Sequence, residues 1–98
     1  MYSNTLITIA KAVEFLAYFR RLPRTQQDKI APHLNQPEQM ALRVLNACSE
    51  VEGQRVPVIA EMAELHPESA RAILKALEGK MVLAEVTAQG KLWRLGLG

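Results

Sequence analysis

The sequence predicts a mainly α-helical domain that ends in a small β-hairpin. As far as Gly79, apolar residues recur at helical spacing in segments that prolines separate. After Gly79 the spacing is that of two strands, with a reversal between them at Gln89-Gly90. The composition agrees with this class, because 49% of the residues are hydrophobic and only 5% are aromatic. A chain of 98 residues is long enough for one compact unit with a modest core.

The first predicted helix begins after a cap at Ser3 or Asn4 and runs to about Leu22, where Pro23 ends it. It carries more apolar residues than one helical stripe needs. The surplus face either packs in the core of the monomer or, as we expect, packs against a second copy of the chain. The expected dimer contacts are Leu6, Ile9, Val13, Leu16 and Phe19.

The densest basic segment, residues 20–29, follows this helix. Its cations are either solvated at the helix end, where the helix dipole favours them, or in contact with phosphate. The candidate phosphate contacts are Arg20, Arg21 and Arg24. A short helix is predicted from Thr25 to Ala31, before Pro32 stops it.

The next predicted helix has Pro37 at its first position, after a cap by Asn35 or Gln36, and runs to about Val51. It contains Cys48, which the helical spacing places in the core. Cys48 is the only cysteine, so the chain cannot form an internal disulfide.

Two shorter helices follow and are joined by a sharp turn. Val56 is predicted to form a very short strand, and a helix begins at Pro57. After a turn at Leu65 and His66, a second helix runs over residues 67–78 and ends at a glycine C-cap.

A β-hairpin completes the predicted order of elements. Its first strand contains Met81, Leu83 and Val86, a reversal lies at Gln89-Gly90, and the second strand covers residues 92–97. This change from helical to strand period indicates a separate β-element packed on the helices.

The residues of these two helices and the hairpin match those of a known family. Ile59-Ala60 provides an apolar residue followed by a small one in the first helix, and Ala70 comes ten residues after Ala60 on the inward face of the second. The segments "LKALEGKMV" and "GKLWRLG" match a helix exit, a first strand and a return strand. Residues 37–96 therefore resemble the winged helix-turn-helix family, notably the MarR-, ArsR- and IclR-like bacterial regulators.

Three positions differ from the residues that are common in that family. Glu64 stands where glycine is frequent in the turn, His66 stands where serine or threonine often caps the second helix, and Ala72 stands where an arginine is frequent. The differences concern the turn and the reading face, whereas the apolar pattern of the family is kept.

The resemblance implies a winged helix-turn-helix domain over residues 37–98. Residues 1–36 then form an N-terminal helical extension, and the surplus apolar face of its first helix favours a role in dimerisation. The second helix would then enter the DNA major groove, with base contacts from its outward residues and further contacts from the wing. The expected DNA-binding residues are Glu68, Ser69, Arg71, Ala72, Lys75, Lys91 and Arg94. Trp93 is expected to pack in the core or a dimer interface rather than stack on bases.

The function that we expect is sequence-specific binding of double-stranded DNA by a homodimer, as a transcription regulator of bacterial or archaeal type. A formal charge of +2 supports nucleic-acid binding only weakly. Two alternatives stay open: a winged-helix module that docks on another protein, and an architectural or partition protein that binds DNA.

Other classes have little support in the sequence. It contains no nucleophile triad, paired carboxylates, phosphate-binding glycine loop or metal-ligand spacing, so we expect neither an enzyme nor a cofactor or metal. The apolar segment over residues 6–19 is interrupted by charges and is too short to span a bilayer. We expect a cytoplasmic protein with no membrane contact, and no residue indicates a small-molecule effector.

Overall fold

The computed structural model describes the backbone of residues 2–96 and the side chains of residues 8–96. In chain order the elements are α1 (Tyr2–Phe19), α2 (Arg24–Ile30), a 3-10 turn (Ala31–His33), α3 (Gln36–Ala47), α4 (Val56–Ala63), α5 (Pro67–Leu77), β1 (Val82–Thr87) and β2 (Gly90–Leu95). The two strands form an antiparallel hairpin. The predicted class, mainly helical with a C-terminal hairpin, is confirmed.

The first helix ends earlier than predicted. α1 stops at Phe19 rather than near Leu22, because the N–H of Arg21 donates to the carbonyl of Tyr18 at 3.0 Å in a tighter 3-10 pattern. The Gln27 Nε2 donates to the Leu22 carbonyl at 2.8 Å, which fixes the short connection to α2. α2 itself corresponds to the short helix that the sequence predicts.

Asn35 caps α3 through a reciprocal pair of hydrogen bonds. Its Oδ1 accepts from the N–H of Glu38, and the Glu38 carboxylate accepts from the N–H of Asn35, both at 2.9 Å. The predicted extension of this helix to Val51 is wrong. Cys48 is extended, with φ −81° and ψ 139°, and the Ser49 hydroxyl accepts the N–H of Val51 at 3.1 Å in a local turn that replaces the helix.

The segment between α3 and α4 is tied to the hairpin. Gln54 and Trp93 exchange two backbone hydrogen bonds of 2.8 Å each. The predicted strand at Val56 is therefore wrong: the strand-like residue is Gln54, and Val56 opens α4, since Pro57 fits a first helical turn that needs no amide donor. Gly53 permits this close approach, because a Cβ there would lie 2.7 Å from a side-chain carbon of β2.

The hairpin turn lies one residue earlier than predicted. Thr87 is opposite Gly90, so the turn residues are 88 and 89. Gly90 has φ +117°, which side-chain-bearing residues rarely adopt. The Thr87 hydroxyl donates to the Gly90 carbonyl at 2.7 Å and closes the turn.

One core joins α1 to the rest of the described chain. α1 packs against α3 and α5, and α4 packs against the same two helices. The largest fully buried side chains are Trp93, Leu16, Leu45, Ile59, Ile73, Leu74, Leu77, Val13, Val44 and Val82. Cys48 is also buried, as predicted, and burial raises the pKa of its thiol from 9.0 to about 11. The N-terminal segment thus shares its core with residues 37–96.

Candidate nucleic-acid interface

A tight turn sets the angle between α4 and α5. Its first residue, Glu64, has φ 58° and ψ 44°, which is the left-handed conformation. The N–H of Leu65 reaches back to the Ala60 carbonyl at 2.9 Å and closes the end of α4. Glutamate therefore occupies a conformation that favours glycine, at a cost of about 1–2 kcal/mol.

His66 caps the start of α5. Its backbone is extended, and its Nδ1 accepts a hydrogen bond from the N–H of Glu68 at 3.2 Å. His66 is thus the N-cap residue, a position that serine, threonine or asparagine more often occupies. Pro67 follows at the first helical position, where its fixed φ suits the helix. The start of α5 is therefore capped, and His66, Pro67 and Glu68 are exposed there.

α5 has one buried and one exposed face. The inward residues that the sequence predicts are all buried: Ala70, Ile73, Leu74 and Leu77. On the opposite side Glu68, Arg71 and Lys75 are exposed, whereas Ser69 and Ala72 are half-buried. The outward surface therefore presents two cations and one carboxylate along an ordered helix.

A concave surface between α5, the start of α4 and the hairpin gathers positive charge; we call it the basic groove. It has a volume of about 270 Å³ and is lined by Arg55, Val56, Pro57, Arg71, Lys75, Gln89, Gly90, Lys91 and Trp93. Four of these residues are cations and none is acidic. Arg71, Lys75 and Lys91 are predicted from the sequence as DNA contacts, whereas Arg55 is not. Its place beside α5 depends on the bridge between Gln54 and β2, which no local pattern in the sequence indicates.

Lys91 is held at one wall of the basic groove. Its Nζ lies 4.7 Å from the centre of the Trp93 ring, a cation–π contact, and 3.8 Å from the Glu78 Oε2. The Lys91 and Glu78 side chains are each 43% exposed, so water screens this ion pair. An incoming anion therefore has only a weak partner to displace from Lys91.

A second concave surface lies on the other side of α5, next to α1; we call it the α1–α5 cleft. It has a volume of about 480 Å³ and is lined by Ile9, Glu68, Arg71, Ala72, Lys75 and Ala76. Arg71 and Lys75 line both this cleft and the basic groove. The exposed face of α5 is thus flanked by the hairpin on one side and by the first half of α1 on the other.

Arg94 is separated from the basic groove by the hairpin itself. Successive residues of a strand face opposite sides, so Arg94 faces away from Lys91 and Trp93. In the antiparallel register it lies opposite Leu83, and it is half-buried. The structure therefore brings Lys91, but not Arg94, to Arg71.

The three arginines of the basic segment lie apart from the groove as well. Arg20 and Arg21 line a different cavity, at the end of α1, that shares no residue with the basic groove. Arg24 is exposed, and its Nε lies 3.5 Å from the Asp28 Oδ1 one helical turn away. These expected phosphate contacts do not converge with α5.

Most of the expected dimer contacts are used within the monomer. Val13, Leu16 and Phe19 are buried in the chain's own core, with exposures of 0%, 0% and 3%. Ile9 is half-buried and lines the α1–α5 cleft, and the side chain of Leu6 lies outside the described residues. α1 packs on α3 and α5, so Val13, Leu16 and Phe19 belong to the monomer core, which is the alternative that the sequence left open.

Neither a metal-binding group nor a membrane-spanning helix is found among the described residues. Residues 8–96 contain no group of three His, Cys, Asp or Glu side chains that could hold a metal ion. No described helix has both the length and the apolar character of a membrane span. Comparison of the chain with protein-family models, with curated proteins and with solved structures found no significant match.

Proposed function

We propose that this chain binds double-stranded DNA through the basic groove and the exposed face of α5. The observation that carries the proposal is the convergence of Arg55, Arg71, Lys75 and Lys91 on one surface without an acidic lining residue. In this proposal α4, the turn, α5 and the hairpin act as a winged helix-turn-helix, with α5 as the recognition helix and the hairpin as the wing.

The exposed residues of α5 suit the edges of bases in the major groove. Arg71 can donate two hydrogen bonds to the O6 and N7 of guanine, which is the commonest specific contact. Glu68 can accept from the N4 of cytosine, and Ser69 can contact either a base or a phosphate. Glu68 would thus select a base, and α5 need not be uniformly basic to bind DNA.

The remaining cations of the groove suit the DNA backbone. Arg55 stands at the start of α4 and Lys91 on the hairpin, so these two cations line the groove from elements other than α5, which carries Arg71 and Lys75. If Arg55, Lys75 and Lys91 neutralise phosphates while Arg71 contacts a base, log Kobs falls with the logarithm of the salt concentration at a slope of about −2.7 for each chain. Such a slope predicts weak binding by one chain at physiological salt.

We further propose that two copies bind an inverted repeat, as a transcription regulator does. Two linked basic grooves would multiply the affinity without any new type of contact. Since Val13, Leu16 and Phe19 are buried in the monomer, the proposed dimer must use other surfaces, such as the part of α1 around Tyr18, which is 58% exposed. Sedimentation of the free chain and of its DNA complex measures this directly.

The test begins with fragmented genomic DNA retained by the chain at about physiological salt, where nonspecific binding is weak. Fluorescence anisotropy with a retained duplex then compares Arg71→Ala and Lys75→Ala with Arg43→Ala. Arg43 is a matched control, because it is exposed on α3 and lines none of the three cavities.

The two groove variants should differ from each other as well as from the control. Arg71→Ala should lower affinity by about 1–3 kcal/mol and relax the preference for one base, whereas Lys75→Ala should weaken all duplexes and reduce the salt slope by about one. Equal affinities for the two groove variants and Arg43→Ala would contradict the proposal.

A second candidate function, docking on another protein, is favoured by two side chains on α4. Val58 and Met62 are 44% and 58% exposed and lie one helical turn apart. Apolar pairs of this kind are common in protein interfaces. A partner whose binding is abolished by Met62→Glu and unchanged by Arg71→Ala would favour docking over DNA binding.

A further inference from the structure

We propose that the cavity between the end of α1 and the end of β2, which we call the α1–β2 cavity, binds a small organic anion with an apolar body. It has a volume of about 520 Å³ and is lined by Ala17, Arg20, Arg21, Leu45, Glu50, Lys80, Met81, Leu95 and Gly96. This size lies within the range of about 300–1,000 Å³ that is common for small-molecule sites.

The floor of the α1–β2 cavity is apolar. Its exposed apolar surface comes from Ala17, Met81 and Leu95, which are half-buried, and Leu45 lies buried beneath them. An aromatic or branched hydrocarbon group placed there would remove this surface from water, which is favourable. A fully hydrated inorganic anion would gain nothing from the same surface, so the floor selects ligands with an apolar body.

The rim of the cavity is positive. Arg20, Arg21 and Lys80 are exposed, and Glu50 is the only carboxylate among the lining residues. Within residues 8–96 the ion pairs are Arg24 with Asp28 and Lys91 with Glu78, so the three rim cations have no acidic partner within 4.0 Å. A carboxylate or sulfonate above the apolar floor would be close to these cations.

Backbone hydrogen bonds fix the walls of the cavity. The N–H of Gly96 donates to the Met81 carbonyl at 3.1 Å, and the N–H of Leu95 donates to the Ser49 carbonyl at 2.9 Å. The end of β2 is thus tied both to the start of β1 and to the segment after α3. A preformed wall lowers the entropy that a ligand loses on binding.

This site is independent of the proposed DNA interface. The α1–β2 cavity shares no lining residue with the basic groove or with the α1–α5 cleft. Failure of either proposal therefore leaves the other standing, and variants of one site serve as controls for the other.

The test uses 1-naphthoate as the probe, titrated into the isotopically labelled chain and followed by NMR. We expect saturable shifts at Ala17, Leu45, Met81 and Leu95 with millimolar or tighter affinity. Two further probes separate the parts of the site: neutral 1-naphthalenemethanol tests the charge, and inorganic phosphate tests the apolar floor. Both should bind more weakly than naphthoate. Equal binding of either probe, or no shift at the cavity with naphthoate, would overturn the proposal.

Substitutions that change the charge of the cavity rim should change the affinity for naphthoate in predictable directions. Arg21→Gln and Lys80→Gln should each weaken naphthoate binding by up to about fivefold, and Glu50→Gln should strengthen it by a similar factor. Arg43→Gln, which removes an exposed cation elsewhere, should change nothing. These side chains are exposed, so the variants should fold. If Glu50→Gln weakened binding, or if Arg43→Gln weakened it as much as Arg21→Gln, the anion site would be refuted.

Discussion

Replacing Glu64 with glycine should stabilise the protein. Glu64 is left-handed at φ 58°, a conformation that costs a residue with a side chain about 1–2 kcal/mol. Glycine has no such cost but loses about 0.5–1 kcal/mol more conformational entropy on folding. The difference lies between about 0 and 1.5 kcal/mol and centres on a gain of about 0.75 kcal/mol in the free energy of unfolding, or roughly 3–6 °C in Tm for a domain of this size.

The assay is reversible unfolding by urea and by heat, followed by circular dichroism at 222 nm. Glu61→Gly is the matched control, because Glu61 is exposed inside α4, where glycine should destabilise the helix by about 1 kcal/mol. The two substitutions, three residues apart, should therefore change the free energy of unfolding in opposite directions. If Glu64→Gly lowered Tm as Glu61→Gly does, the left-handed turn between α4 and α5 would be wrong.

Three further predictions concern the core, the helix cap and the thiol. Leu74→Ala removes a side chain with 0% exposure and should lower the free energy of unfolding by about 2–5 kcal/mol in urea; a change below 1 kcal/mol would contradict this packing. His66→Ala should cost about 1 kcal/mol because the N–H of Glu68 loses its acceptor, whereas His66→Ser should unfold at nearly the wild-type urea concentration. Since burial raises the pKa of the Cys48 thiol from 9.0 to about 11, stability should fall between pH 9 and 11 as the unfolded thiol ionises first. The urea midpoint should therefore fall further between pH 8 and pH 10.5 in the wild type than in Cys48→Ala. Equal falls would show that this thiol is not buried.

Local patterns in the sequence predict the parts of this fold that depend on neighbouring residues. The inward face of α5 follows from the 3.6-residue period of Ala70, Ile73, Leu74 and Leu77, and all four are buried. The hairpin follows from the change to strand period near Met81. Errors at element ends, such as the early end of α3 at Cys48, come from local hydrogen bonds that compete with the helix.

Other features of the fold and of the candidate site depend on contacts between residues that are far apart in the sequence, which local patterns do not predict. Arg55 reaches the basic groove because Gln54 pairs with β2, far along the chain. The sequence favours a dimer interface for the surplus apolar face of α1, whereas Val13 and Leu16 of that helix are buried in the chain's own core. Local spacing does not indicate which apolar residues a neighbouring helix covers. Arg94 falls outside the groove because of strand register, which a shift of one residue would reverse.

The low net charge of the chain is compatible with a DNA-binding surface because the charges are unevenly placed. The basic groove holds four cations and no lining carboxylate, although the whole chain carries a formal charge of only +2. Local potential, and not total charge, attracts phosphate within a Debye length of about 8–10 Å. Glu78, which lies 3.8 Å from Lys91, moderates this potential at one wall. A glutamine there should strengthen DNA binding.

The most direct measurement is an NMR titration of the labelled chain with a DNA duplex that it retains at physiological salt. Binding through the basic groove predicts the largest shifts at the amides of Arg55, Arg71, Lys75 and Lys91, with little change in α2. Absence of any retained duplex, or shifts centred on Val58 and Met62 of α4, would contradict DNA binding through this groove.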